Sequence, residues 1–309
     1  MRILRLKELD VGTLYRCLVV LFIGLSSAPY LHAAGPDAPA LASVAAVAVD
    51  VATGKVLVAK HADAALSIAS VTKLMTAVVV LDGEADLEQW LTIRDWDAAT
   101  AKNAYSRIRL TSQAQRGELL RIALMSSENR AAFNLAANAT GGIPTFVRQM
   151  NDKAATLGMT NSRFVDPTGL SPNNRSTARD LAKLLVAAAE HPAIREYSTT
   201  RQRTARFRKP RYTLGYGNTN RLVHSSRWDV VLSKTGYLTE AGRCLVMVTT
   251  IDGKDIAMVM LNSFGTRSPL GDAGRIKRFI QTGDKGRVAG AAGAYARETA
   301  ERLGLVSGG

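Results

Sequence analysis

The order of elements in this sequence predicts an α+β fold built on one antiparallel sheet. Three observations carry the prediction. Two β-rich runs around a Thr53-Gly54 turn open the folded part, helical patterns fill the middle, and three strand-like runs precede a last helix. The simplest packing joins both β parts in one sheet, with the helices as a lobe on one side.

Composition fits a globular chain. Of 309 residues, 47% are hydrophobic and 21% charged, enough for a sizeable core in one or two domains. The first 34 residues stand apart. A basic lead with Arg2, Arg5, Lys7 and Arg16 runs into the apolar "CLVVLFIGL" and then the small residues of "SSAPYLHAAG". That pattern predicts a secretory signal peptide over residues 1–34, cut near Ala33 or Ala34, and a periplasmic location. The apolar run is short for a membrane span. Cleavage would leave a net charge of +12 and one cysteine, Cys244, in a strand-like run where a small core residue is expected.

The elements follow in order. "SVAAVAVDVATGKVLVAK", residues 43–60, reads as a hairpin, and "SVTKLMTAVVVLDG" as a helix with an apolar face. The polar stretch 84–113 reads as part strand, part loop. "RGELLRIALMSSENRAAFNLAANAT" reads as two helices meeting near Ser126 and Ser127, and "PTFVRQMNDKAATLGM" as an amphipathic helix closed by Gly158. "FVDPTGLSPNNRSTARD" is turn-rich, and the next helix starts with Thr177 and Asp180 at capping-box spacing. "WDVVLSKTGY", "GRCLVMVTTI" and "KDIAMVMLNS" read as strands, the last two joined by a tight Asp252-Gly253 turn. "DAGRIKRFI" is the final helix of residues 35–284, and the Ala/Gly-rich tail 285–309 is expected to be mobile or loosely helical.

Excess positive charge points to acidic partners. Export removes nucleic acid from consideration. The densest basic run, Arg201–Arg211 in "RQRTARFRKPRY", reads either as a solvated loop or as a surface for an anionic polymer such as the sacculus.

Ser70 and Lys73, three apart in "SIASVTKLMTA", share a helical face. A serine is a poor nucleophile until a base takes its proton, and a lysine becomes that base when desolvation or a second cation lowers its pKa. Taken alone, the pair reads more readily as a lysine snorkelling from an ordinary helix. Ser127-Glu128-Asn129 then supplies a second hydroxyl and an amide where two helices meet. Lys234-Thr235-Gly236 supplies a lysine, a hydroxyl and a close-approach glycine on a strand. The three motifs in this order form the set shared by class A β-lactamases and penicillin-binding proteins.

On "ASVTKLMTA", "MSSENRAA", "DPTGLSPNNRSTARDLA" and "LSKTGYLTEAGRCLV", residues 40–284 resemble the low-molecular-mass penicillin-binding serine D-alanyl-D-alanine peptidases, and look most like their endopeptidase branch, penicillin-binding protein 7. The resemblance implies a five-stranded antiparallel sheet flanked by helices on both faces, a helical subdomain, and a site in the cleft between. It implies Ser70 as nucleophile, Lys73 as base, and Ser127 as proton relay to the leaving amine. Asn129 would hold Lys73 and the substrate amide, Lys234 and Thr235 a carboxylate, and the amides of Ser70 and Tyr237 the oxyanion. Gly236 would let a peptide lie along the strand. It also implies peptidoglycan stems and cross-links as substrates and β-lactams as covalent inhibitors, with no cofactor and no metal. Glu128 departs from the aspartate of the motif. No second β domain or anchoring helix is expected after the last helix.

Three alternatives remain at this point. A carboxypeptidase uses the same acyl chemistry. A β-lactamase needs a water-activating base, but Asp166-Pro-Thr-Gly-Leu170 lacks the glutamate and asparagine of the class A loop. A non-catalytic peptidoglycan sensor would have no use for an activated serine. A zinc peptidase is disfavoured, because His61, His191 and His224 are not at metal-ligand spacing.

Overall fold

The structure is a computed structural model describing residues 38–96 and 104–305. The expected signal segment lies outside the described residues. Strands β1 (Ser43–Asp50), β2 (Val56–Lys60) and β3 (Leu66–Ser67) come first, then a 3₁₀ turn, Ala69–Val71, and α1 (Thr72–Asp82). β4 (Trp90–Thr92), β5 (Gln113–Gln115), α2 (Arg116–Met125), α3 (Asn129–Ala137), α4 (Gly142–Thr156), β6 (Arg175–Ser176), α5 (Ala178–Glu190) and α6 (Pro192–Thr199) follow. The chain continues through β7 (Gln202–Phe207), β8 (Tyr212–Gly217), β9 (Asp229–Leu238), β10 (Gly242–Ile251), β11 (Lys254–Ser263), α7 (Ser268–Thr282) and α8 (Gly290–Arg302).

The two β parts do form one sheet. Its antiparallel order is β2-β1-β11-β10-β9, so β9 is an edge strand. Hairpin register is set by turns with the right chemistry. Asp252 and Gly253 both have positive φ, as a two-residue turn between twisted strands requires.

Helices cover the sheet on both faces rather than as a lobe on one side. The central strands show why, because they are almost continuously apolar instead of alternating. Ala45, Val47, Val246, Val248, Val259 and Leu261 join the large core with α1–α5. The intervening Ala46, Ala48, Leu245, Met247, Met258 and Met260 join a second core with Ala273 and Ile276 of α7. A polar anchor fixes α7 to β1: the buried Asp272 carboxylate accepts from Ala42 N (2.9 Å), Ser43 N (2.7 Å) and Ser43 Oγ.

Caps end the helices where the residues allow. Gly158 (φ 66°) lets Met159 N close α4 onto Ala154 O at 2.8 Å. Thr177 accepts from Asp180 N at 3.0 Å, but Asp180 does not return the bond. Its carboxylate instead takes Asn161 N and Ser162 Oγ, both at 2.9 Å.

One expectation is corrected. The run Arg201–Arg211 is not a loop throughout but strand β7 followed by a hairpin turn: β7 and β8 pair over six residues, and Phe207 stacks on Tyr212 with ring centroids 4.6 Å apart. The inward side chains Ala205 and Phe207 are buried, and this alternation was hidden by the density of arginine. The tail, expected to be mobile or loosely helical, contains α8. This helix packs on β1 and β11, burying Ala296, Thr299 and Ala300, while Tyr295 donates to Asn262 Oδ1 at 2.6 Å. Small side chains allow that close approach.

Candidate active site

Ser70 stands in the 3₁₀ turn that leads into α1, directly after Ala69, which has a positive φ of 47°. Two glycines make room for this bend. A β-carbon on Gly169 would fall 2.0 Å from Ala69 O and 2.9 Å from Ser70 N. One on Gly236 would fall 2.9 Å from Ile68 O and 3.2 Å from Ser70 N. Turn 166–171 and strand β9 therefore both press on the serine's own peptide.

Lys73, one turn along, is buried. Its Nζ lies 2.8 Å from Ser70 Oγ, 2.7 Å from Asn129 Oδ1 and 2.6 Å from the Thr168 carbonyl. Three acceptors match the three protons of an ammonium. Burial nevertheless pulls its pKa down to about 7, against the opposing charges of Asp166 and Glu128. Near neutral pH the amine thus exists in both forms, and the neutral form can accept the serine proton at the same distance.

The turn that carries Thr168 and Gly169 is organised by one carboxylate. Asp166 accepts from Thr168 N (2.6 Å), Thr168 Oγ1 (2.5 Å), Gly169 N (2.8 Å), Ser171 N (3.0 Å) and Asn174 Nδ2 (2.9 Å). Thr76 Oγ1 reaches back from α1 to Pro167 O at 2.6 Å. A segment read from sequence as turn-rich is thus also the source of a backbone acceptor for Lys73.

Ser127 lies between α2 and α3 in a left-handed conformation, φ 63°. Asn129 is the first residue of α3. Glu128 is buried and turned to the helix, capping it through Ala131 N at 2.5 Å; burial raises its pKa. The longer side chain at this motif position thus serves its own helix.

On β9, Lys234 is as buried as Lys73 and donates to Thr235 O at 2.7 Å. Burial first, and then the positive charge of Lys73, push its pKa well below the ordinary lysine range. Thr235 Oγ1 lies 2.6 Å from Thr219 Oγ1, and Thr219 N bonds Met125 O at 2.9 Å. Thr219 thereby ties the β9 motif to the end of α2, just before Ser126. Tyr237 is half exposed, with the Arg243 guanidinium 3.8 Å over its ring.

These residues line one cleft of about 480 Å3, walled by Ser70, Ser127, Asn129, Thr235, Gly236 and Tyr237. The three sequence motifs, more than 150 residues apart at their extremes, are therefore brought together. Lys73 and Lys234 sit behind the wall. Thr219, Arg221 and Arg243 also line the cleft and were not anticipated. Gly169 carried a faint signal, as a glycine in a turn-rich segment; Thr219, Arg221 and Arg243 carried none.

Comparison with known proteins agrees with this geometry. The family model for peptidase S11, D-alanyl-D-alanine carboxypeptidase, matches residues 32–265. A D-alanyl-D-alanine endopeptidase of Pseudomonas aeruginosa is 45% identical, over 93% of this chain and 95% of its own length. One from Escherichia coli is 46% identical over 86% of each chain. Among solved structures, the Streptomyces K15 DD-transpeptidase superposes with a TM-score of 0.72 at 29% identity, covering 78% of this chain and 98% of its own. Penicillin-binding protein D2 of Listeria monocytogenes, in a cefotaxime-bound form, gives 0.68 at 26%, covering 79% and 98%. The fold, the order of the motifs and these matches together make the chain a member of the S11 family of D-alanyl-D-alanine peptidases.

Proposed function

We propose that this chain is an exported serine D-alanyl-D-alanine endopeptidase that cuts peptide cross-links of peptidoglycan. The observation that carries the reading is the 2.8 Å contact between Ser70 Oγ and a buried Lys73 whose pKa is lowered to about 7. Neutral Lys73 takes the Ser70 proton as the oxygen attacks the D-Ala carbonyl. The tetrahedral oxyanion is held by the amides of Ser70 and Tyr237. Ser127 passes a proton to the leaving amine, the C–N bond breaks, and an ester to Ser70 remains. Water then hydrolyses the ester and returns the proton to the site. Asn129 holds Lys73 and the substrate amide, while Lys234 and Thr235 hold a carboxylate. Edge strand β9 offers unpaired backbone to a peptide, which Gly236 lets come close.

The water-activating role of a β-lactamase glutamate has no counterpart in the 166–170 turn. The Asp166 carboxylate is committed to five hydrogen bonds within its own turn. A long-lived penicilloyl ester on Ser70 is therefore expected. Mass spectrometry after penicillin treatment tests this: the wild-type chain gains one adduct, and Ser70→Ala gains none. An undiminished adduct on Ser70→Ala overturns the assignment. Digestion of cross-linked dimers against uncross-linked pentapeptide separates the endopeptidase from a carboxypeptidase.

The setting of the enzyme is the periplasm, reached by way of the 1–34 signal, with the sacculus as its surface partner. Of the basic run, Arg203 is paired with Glu118 at 2.7 Å, Arg208 lies 4.0 Å over Trp90, and Arg201 donates to Val223 O. Arg206, Lys209 and Arg211 are exposed without a carboxylate in reach among the described residues, and these three would meet an anionic polymer.

A further inference from the structure

A second cavity, of about 300 Å3, lies beyond Ser127 and Asn129, which form a wall common to both cavities. Its other side is β8, which there reads Gly215-Tyr216-Gly217. Glycine inside a strand weakens it, and commonly marks a place where a ligand or another backbone comes close. Neither glycine is needed for a left-handed backbone, since neither has positive φ. Neither makes room for a protein neighbour, since a β-carbon at either position would meet no atom within 4 Å. Both are exposed, alternating with the inward Leu214 and Tyr216. Two adjacent outward positions are thus kept bare beside a cavity that shares a wall with the active site.

Two polar groups of this cavity, Arg107 and Tyr216, keep unused hydrogen-bonding capacity. Arg107 lies 5.1 Å over the Tyr216 ring and donates to Gly215 O at 2.5 Å, with no carboxylate within 4 Å among the described residues. The Tyr216 hydroxyl is buried without a hydrogen-bond partner among the described residues. Tyr105, at the rim, is 85% exposed. Glu128 borders the cavity too, but its carboxylate caps α3.

We propose that this second cavity binds the amine-bearing peptide stem of a cross-linked substrate, with Arg107 holding a carboxylate of that stem. The inference rests on the endopeptidase reading above. There, Ser127 gives the proton to the leaving amine, so the leaving half of the substrate departs from Ser127. A carboxypeptidase releases a single alanine and needs no room beyond it. A cross-link cutter releases a whole peptide, and this cavity is further space that adjoins Ser127 beyond the first cleft. Its volume is at the lower end of the roughly 300–1,000 Å3 usual for ligand sites. Bare glycines on β8 then serve backbone approach by the stem.

The test uses the full chain with Gly215→Val, Gly217→Val, Arg107→Gln and Arg107→Lys. For each, cleavage of a purified cross-linked muropeptide dimer is divided by the acylation rate with soluble penicillin, which occupies only the first cavity. This ratio removes any general damage to the fold or to Ser70. Valine at either glycine is expected to lower the ratio by about tenfold or more, and Arg107→Gln to raise KM for the dimer, with partial recovery in Arg107→Lys. Ratios within about twofold of wild type for all four variants would overturn the inference. Wild-type protein that acylates with penicillin but leaves the dimer intact overturns the endopeptidase reading itself, and this inference with it.

Discussion

Gly169 lies so close to Ala69 that a β-carbon on the glycine would fall 2.0 Å from the Ala69 carbonyl oxygen. The contact fixes the peptide that carries Ser70 N, and the neighbouring Thr168 carbonyl holds Lys73 at 2.6 Å. The turn after Asp166 therefore controls both ends of the Ser70–Lys73 pair.

Gly169→Ala should accordingly disable the site. At φ 80° an alanine is strained by roughly 1–3 kcal/mol, before the clash is counted. Displacing the Ser70 peptide by even 1 Å is expected to slow penicillin acylation by on the order of 10²-fold. Gly54→Ala is the control. Its φ is 69° but its β-carbon would meet nothing, so a loss of roughly 1–2 kcal/mol in urea unfolding should leave acylation unchanged. Equal acylation by both variants would refute the role of the Gly169 contact.

The lowered pKa of Lys73 sets a pH dependence. In the proposed mechanism acylation needs the neutral amine, so its rate should rise with pH through a midpoint near 7. Stability changes in the same direction. Between about 7 and the ordinary 10.5, an unfolded chain keeps the Lys73 proton that the folded chain has released. The unfolded state binds more protons there, so this group makes stability rise with pH across that window. Stopped-flow acylation and urea titrations from pH 6 to 10 check both limbs. A flat acylation profile would remove Lys73 as the base.

Lys73→Met and Lys234→Met should fail differently. Losing the base should lower acylation by about 10²–10⁴-fold or more. In the proposed mechanism Lys234 holds a carboxylate and is not the base, so its variant should keep measurable acylation with weakened binding. Separate determination of the acylation rate and the dissociation constant for penicillin distinguishes them, and identical losses in both parameters would contradict this division.

The β7–β8 hairpin offers an electrostatic prediction. Changing Arg206, Lys209 and Arg211 together to glutamate should reduce cosedimentation with purified sacculi. Wild-type binding should weaken as salt rises, because exposed charges are screened within about 8 Å at physiological ionic strength. Penicillin acylation should stay at its wild-type rate. Sacculus binding that ignores both salt and the triple change would mark the hairpin as merely solvated.

Much of this protein is legible in its sequence because the relevant signals are local. Helix and strand periodicity, the Asp252-Gly253 turn, and the residue types of the three motifs need only near neighbours to be recognised. So does the α+β order, since hairpins join strands that are adjacent in the chain. What only the tertiary structure decided depends on contacts between distant segments. Continuous apolar runs in β1, β10 and β11 do not say which face meets which helix; packing of α7 opposite the helical lobe does. Lysine burial is likewise invisible in "SVTKLM", where the same residues would suit a surface helix. Asn129, 56 positions away, and Thr168, 95 away, close over Lys73 and exclude water, and that desolvation pulls its pKa to about 7.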